Sequence, residues 1–172
     1  MVKKQTRSNE KLIKRFNRNL NFILIVVLVV ISDQITKLLA KKSEISTPVI
    51  KNIFYLTYSL NRGSAFSLFQ GYAWLMIVIS LIVLGTIIRY YRRIPIKMIP
   101  ATALIFAGTI GNLIDRFFYR GVIDFIDFRI WPAFNIADAA LVIGAALLIW
   151  FFFKFEYLDK KKFAKTKTPK KR

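Results

Sequence analysis

The chain has 172 residues, of which 55% are hydrophobic, and a formal net charge of +19. This apolar fraction is too high for an ordinary soluble domain of this size and indicates a membrane protein. Because the chain has no cysteine and no histidine, composition excludes a disulfide framework, a thiol nucleophile, and the commonest general base and zinc ligand.

The first apolar run predicts a membrane helix over about residues 20–40, preceded by a basic segment over 1–18. A basic head followed by a short apolar stretch is also typical of a cleavable signal peptide. Two observations favour an uncleaved helix instead. Asp33 and Lys37 lie within the run, and no small-x-small cleavage site follows it.

Three further apolar runs predict membrane helices over about residues 72–91, 98–116 and 134–155. Each has about 19–22 residues, which at about 1.5 Å per residue is long enough to cross a bilayer. The sequence therefore predicts an all-α membrane protein with a four-helix domain over residues 19–155, followed by a basic tail over 156–172 that has no fold of its own.

The distribution of positive charge predicts the orientation. Seven lysines and arginines lie before the first span, four in the link at 89–97 and nine from Lys154 onward, which makes 20 of the 28. Positive residues concentrate in cytoplasmic segments, so both termini are expected in the cytoplasm. Blocks of charge between apolar runs, rather than over a globular face, also argue against nucleic-acid binding.

The connection over about residues 41–70 is expected to form a small extracytoplasmic sheet. Residues 54–60 alternate, with Phe54, Leu56, Tyr58 and Leu60 on one face, as in a half-buried strand. Residues 61–63 predict a turn after it. We expect this sheet, here called the cradle, to lie on the outer surface of the membrane with its apolar face toward the bilayer.

Two pairs of charged residues lie near the predicted outer membrane edge. Asp33 and Lys37 are four residues apart on one helix face, which favours a structural ion pair over direct chemistry. At the end of the third span, Asp115 and Arg116 form either an interfacial structural pair or part of a substrate site. Gly108 and Asn112 share that helix face, where glycine permits close helix approach and the amide needs partners inside the bundle.

Asp124 and Asp138 are the strongest candidates for chemistry. Asp138 opens the fourth span three residues after Asn135, and Asp124 is expected in the preceding loop, within reach of it. Two neighbouring carboxylates share a proton, which provides a base for water and an acid for a carbonyl. The alternative interpretation is a pair of helix-capping carboxylates. Asp127 is a nearby competitor for the acidic role.

Five motifs in order resemble those of bacterial lipoprotein signal peptidase, the signal peptidase II family, and they span residues 33–138. Three positions differ: Ser64 stands where alanine is frequent, and Thr109 and Ile110 vary the glycine-rich segment that precedes Asn112. The motifs are Asp33-x-x-Thr36-Lys37, Asn61-x-Gly63-x-Ala65-Phe66, Gly111-Asn112-Leu113-Ile114-Asp115-Arg116, Val122-x-Asp124-Phe125 and Phe134-Asn135-x-Ala137-Asp138.

The resemblance implies an aspartic endopeptidase that needs no metal or cofactor and cleaves prolipoproteins before a diacylglyceryl-modified cysteine. It implies inhibition by globomycin-type peptide antibiotics and an active site on the extracytoplasmic side of the bacterial cytoplasmic membrane; we expect a monomer surrounded by lipid. Asp124 and Asp138 match the catalytic dyad. The matching substrate-binding or supporting positions are Asp33, Lys37, Asn61, Gly63, Asn112, Asp115, Arg116 and Asn135.

Two other classes of function fit the residues alone. A small transporter or proton-conducting bundle would also carry acids beside Lys37 and Arg116. Its relay needs a path across the membrane, however, and the inner halves of the predicted spans have no ionisable partner for these acids. A membrane scaffold would use the same acids only as caps and ion pairs.

Overall fold

The computed structural model describes residues 2–43, 46–63 and 73–166, which form four long helices and one small sheet. The helices are α1 (Val2–Ser43), α2 (Ala73–Tyr90), α3 (Ile99–Tyr119) and α4 (Ile136–Thr166). Within the described residues, four helical segments are long and apolar enough to cross a membrane. The predicted four-helix membrane architecture is therefore confirmed.

Helix α3 lies at the centre of the bundle, where it packs against the other three helices. Its buried face is made largely of small residues, including Ala101, Ala103, Ala107 and Gly108, so neighbouring backbones approach closely. A Cβ atom added at Gly108 would overlap the carbonyl oxygen of Ala137 in α4. Large apolar side chains on α1, α2 and α4 instead point outward, as expected for surfaces that face lipid.

The ends of α1 and α4 differ from the expectation. Helix α1 begins at Val2 rather than near residue 20, and α4 continues to Thr166, into the tail expected to have no fold of its own. Both extensions are rich in lysine and free of glycine and proline. Residues of that kind lose little rotamer freedom in a helix, so an existing helix propagates through them.

Three antiparallel strands form the sheet, in the order β1 (Thr47–Ile50), β2 (Phe54–Asn61) and β3 (Val122–Asp127). The predicted strand over residues 54–60 is confirmed, but its strict alternation is not, since Leu56 is 43% exposed. An irregularity in the β2–β3 register between Leu56 and Ser59 explains this difference, because a bulge reorients the side chains beside it. The part of the cradle over residues 64–70 lies outside the described residues.

Asp124 lies in strand β3, so its placement in a loop was wrong. Helix α3 is capped by Arg120, which has a left-handed backbone (φ 54°) and donates its N–H to the carbonyl of Arg116 at 3.1 Å. This αL residue reverses the chain, and Val122 then pairs with Asn61 at the end of β2. The sheet therefore begins directly at the end of the central helix.

Candidate active site

Asn135 and Asp138 form a reciprocal cap at the start of α4. The backbone N–H of Asp138 donates to Asn135 Oδ1 at 2.8 Å, and the backbone N–H of Asn135 donates to Asp138 Oδ2 at 3.3 Å. This is a capping box, which satisfies N–H groups that a helix start leaves without partners. The cap fixes Asp138 in the first turn, while Asp138 Oδ1 accepts a bond from Asn112 Nδ2 at 2.7 Å.

Asp124 is brought to the same place by β3 and is 3% exposed. Its Oδ1 accepts a hydrogen bond from Asn135 Nδ2 at 2.7 Å, and its Oδ2 accepts one from Asn61 Nδ2 at 3.1 Å. Asn135 therefore contacts both carboxylates, Asp124 through its side chain and Asp138 through its backbone. Asn61 also accepts a bond from the Gly63 N–H at 3.0 Å, which forms the predicted turn.

Burial and the neighbouring Asp138 charge raise the pKa of Asp124 to about 7. Desolvation is the larger cause, because a carboxylate held away from water loses its hydration. Hydrogen bonds from Asn61 and Asn135 and the charge of Lys37 act in the opposite direction but do not offset it. Asp124 therefore binds and releases a proton near neutral pH, which is the property required of a general acid or base.

A second cluster, centred on Lys37, lies beneath these carboxylates. Lys37 Nζ is 2.8 Å from Asp33 Oδ2 and 3.0 Å from Asp115 Oδ2, and it donates to Asn112 Oδ1 at 3.2 Å. Lys37, Asp33 and Asp115 are each at most 1% exposed. The expected Asp33–Lys37 ion pair is present, and Asp115 joins it.

Asn112 connects the two clusters, since it accepts from Lys37 and donates to Asp138. It also accepts a bond from Asn135 Nδ2 at 3.2 Å. The partly exposed Arg116 is arranged differently: its Nη1 donates to the carbonyl of Asn112 at 3.4 Å. Among the described residues, Asp115 forms its ion pair with Lys37, and the choice between an Asp115–Arg116 structural pair and a substrate site stays a prediction.

Asp127 lies apart from both clusters. It is at the end of β3, where its carboxylate is 3.6 Å from Arg129 Nε and accepts the Arg129 backbone N–H at 2.8 Å. Part of its surface faces solvent. The geometry therefore separates Asp127 from Asp124, although the sequence presents them as competitors.

The sequence analysis missed Gln34 and two backbone groups. Gln34 Nε2 lies 3.1 Å from Asp33 Oδ2, 3.2 Å from Asp115 Oδ1 and 3.3 Å from the carbonyl of Gly111. A polar amide beside Asp33 in an apolar helix was the available signal. The backbone N–H of Ile123 bonds Asp115 Oδ2 at 3.0 Å, a contact that no sequence pattern could indicate. The N–H of Ala137 similarly bonds Asp33 Oδ1 at 2.8 Å.

Gln34 and seven of the expected site residues thus form one continuous polar network: Asp33, Lys37, Asn112, Asp115, Asp124, Asn135 and Asp138. Asn61 and Gly63 extend this network to the end of strand β2. Within the part of the chain that the structure describes, no group of three or more acidic residues is arranged to hold a metal ion. Two carboxylates at one rim, with amide donors on every oxygen, can polarise a carbonyl group and activate a water molecule.

Comparisons with known proteins agree on one family. Residues 25–154 match the model of the Signal peptidase (SPase) II family. The lipoprotein signal peptidase of Halothermothrix orenii is 46% identical over 139 residues, which cover 77% of this chain and 95% of that protein. The lipoprotein signal peptidase of Clostridioides difficile is 40% identical over 144 residues, which cover 78% and 96%.

Two solved structures, both described as bacterial membrane enzymes, have the same fold. One is 33% identical, with a TM-score of 0.74 over 88% of this chain and 93% of that one. The other is 36% identical, with a TM-score of 0.70 over 77% and 92%. With its four apolar helices, this chain is a bacterial integral membrane peptidase that belongs to the signal peptidase II family.

Proposed function

We propose that this protein removes signal peptides from diacylglyceryl-modified prolipoproteins by water attack on the peptide bond before the lipidated cysteine, with Asp124 and Asp138 as the catalytic pair. The observation that carries the proposal is the contact of Asn135 with both carboxylates at the start of α4. The names of the relatives, lipoprotein signal peptidases, support the substrate class.

In this mechanism Asp124 holds the shared proton and Asp138 is the base. The raised pKa of Asp124 keeps this carboxyl protonated up to about neutral pH. Asp138 lies in the first turn of α4, where the partial positive charge of the helix N-terminus favours an anion. Asp138 takes a proton from water, the hydroxide attacks the carbonyl carbon, and Asp124 donates its proton to the carbonyl oxygen. The C–N bond of the tetrahedral intermediate then breaks as Asp138 gives its proton to the leaving nitrogen and Asp124 takes a proton from a hydroxyl of the intermediate, which restores both carboxyl groups.

The remaining polar residues have supporting roles in this proposal. Asn112 and Asn135 hold the two carboxylates, and the Lys37 cluster holds Asn112. Arg116 is partly exposed and interacts with the charges of both carboxylates, so its guanidinium is in a position to bind substrate carbonyl groups. Asn61 connects the pair to the sheet, which would cover the substrate.

The location of the pair fits a substrate embedded in the membrane. Asp138 is at the end of a membrane helix and Asp124 is in the adjoining sheet, so both lie near headgroup depth. The α2–α3 link contacts α1 at Arg18 and Asn19, which places the basic segments at the other end of the bundle. By the positive-inside rule that end faces the cytoplasm, and the carboxylate pair faces outward.

Purified Asp124→Asn and Asp138→Asn variants test the proposal in an assay of lipid-modified prolipoprotein cleavage in detergent. Each variant should lose at least about 10²–10⁴-fold in rate, the usual contribution of a positioned acid or base. Asp127→Asn is the matched control, because it removes a nearby acid outside the network, and it should cleave at the normal rate. Full cleavage by folded Asp124→Asn or Asp138→Asn would refute the dyad.

A further inference from the structure

A cavity of about 390 Å³ lies at the end of the bundle away from Asp124 and Asp138. It is lined by Lys14, Arg15 and Arg18 of α1 and by Arg92 and Ile96 of the α2–α3 link. Arg18 is fifteen residues before Asp33 on the same helix, or about 22 Å along it. We propose that this cavity binds the phosphate group of an anionic phospholipid, separately from any role in peptide cleavage.

The cavity is held in shape by aromatic and polar contacts between α1 and the link. The Arg18 guanidinium lies 5.0 Å from the centre of the Tyr91 ring, and its Nη1 donates to the carbonyl of Arg92 at 3.5 Å. Tyr91 in turn donates its hydroxyl to Asn19 at 3.0 Å and packs against Phe22 at 5.0 Å. Among the described residues, the groups that hold Arg18 are an aromatic ring and a backbone carbonyl, neither of which carries a negative charge.

The charges of the cavity require an anion. Of the five described residues that line it, four are cationic and none is acidic. The Nε atom of Arg18 is buried and has no hydrogen-bond partner among the described residues, which is an uncommon and costly state for a donor. A phosphate diester supplies negative charge and several acceptors, and guanidinium groups bind such oxygens with two parallel bonds.

The surroundings of the cavity favour a lipid over free phosphate. The basic residues lie just before the apolar run of α1 over 22–31, where a headgroup meets hydrocarbon. Leu12, Ile13 and Phe16 are 60%, 59% and 66% exposed on the same segment of helix. These side chains can contact acyl chains while the phosphate lies in the cavity. A free phosphate ion would contact only the cationic residues and would leave the exposed apolar side chains without a ligand.

Native mass spectrometry of the full-length protein in detergent measures this binding directly. Wild-type protein should bind phosphatidylglycerol at least about fivefold more tightly than phosphatidylcholine with the same acyl chains. The double variant Arg18→Gln/Arg92→Gln should weaken phosphatidylglycerol binding about fivefold to tenfold, as expected for charges beside a lipid headgroup. The matched control Arg89→Gln/Arg93→Gln removes two positive charges from the end of α2 and the start of the link, where both lie against Tyr90 and outside the cavity. It should change phosphatidylglycerol binding less than about twofold.

Three results would overturn the proposal. Equal binding of the two lipids would show that the headgroup is not recognised. Equal losses of phosphatidylglycerol binding in the two double variants would show that the lipid is attracted to the basic surface in general and not to the cavity. If millimolar inorganic phosphate displaced bound phosphatidylglycerol as effectively as added phosphatidylglycerol does, the site would be assigned to free phosphate. If Arg18→Gln/Arg92→Gln does not fold, Lys14→Gln/Arg15→Gln replaces it, since both side chains are exposed and their loss leaves packing unchanged.

Discussion

Asp33 Oδ1 accepts a hydrogen bond from the backbone N–H of Ala137 at 2.8 Å, across 104 positions of the chain. Ala137 lies in the first turn of α4, immediately before Asp138, where helix N–H groups have no partner of their own. The other oxygen of Asp33 binds Lys37 and Gln34. The first membrane helix therefore sets the position of the fourth at the residue next to the proposed base.

The raised pKa of Asp124 predicts a pH dependence of activity. If Asp124 donates its proton, the cleavage rate should fall as pH rises through about 7, because the acid form is lost. The rate of lipid-modified prolipoprotein cleavage, measured from pH 5 to 9 under single-turnover conditions, tests this. A rate that is constant from pH 5 to 9 would contradict Asp124 as the proton donor.

The same shift predicts a pH dependence of stability. The folded protein retains the Asp124 proton up to about pH 7, whereas the unfolded chain releases it near the ordinary value of 3.8. Stability from this group is therefore present below about pH 4 and is lost as pH rises to about 7. Asp124→Asn removes the titration, so its melting temperature relative to wild type should rise between pH 5 and 8. A difference that is independent of pH would contradict burial of the charge.

Replacing Lys37 by methionine should strongly destabilise the fold. The change leaves Asp33 and Asp115 buried without their cation, and breaking a buried pair in this way costs about 3–5 kcal/mol. Thermal unfolding in detergent measures the loss. Lys41→Met is the control, because Lys41 is exposed over the Tyr119 ring at 4.1 Å and its loss should cost about 1 kcal/mol or less. Equal melting temperatures for the two variants would show that the cluster contributes little.

Two substitutions of Asn135 should separate helix capping from support of the carboxylate pair. Asn135→Asp keeps an oxygen for the Asp138 N–H but replaces the amide that donates to Asp124, whereas Asn135→Ala removes both. We expect both variants to lose activity. Asn135→Ala should also lose about 1–2 kcal/mol from the missing cap. Activity near wild type in Asn135→Asp would show that the Asn135 amide is not needed to hold Asp124.

Glycine 111 should not tolerate even a methyl group. A Cβ atom there would lie 2.6 Å from Asp33 Oδ2 and 3.0 Å from the Cβ of Ala137, so Gly111→Ala must separate α1, α3 and α4. Overpacking of this kind costs about 1–3 kcal/mol, and displacement of Asp33 should also lower the cleavage rate. Gly85→Ala in α2 is the control, since nothing lies within 4 Å of the added atom. It should be neutral or stabilising by up to about 1 kcal/mol, and thermal unfolding compares the two.

The sequence by itself determined the four membrane helices, the strand over residues 54–60 and the candidate residues, because these depend on local quantities. The length of an apolar run predicts a membrane span, and alternation of apolar and polar residues predicts a strand. Motifs in a fixed order identify the candidate site residues. Strand β3 was not visible, since its six residues pair with β2 more than sixty positions earlier. Only the tertiary structure decided which acid belongs to which cluster.

Asp115 pairs with Lys37, and Asp124 joins Asn135 while Asp127 pairs with Arg129. The physical reason is burial. A charge held away from water must find partners wherever close helix packing places them, and that packing depends on the glycine and alanine contacts of α3 with α1 and α4.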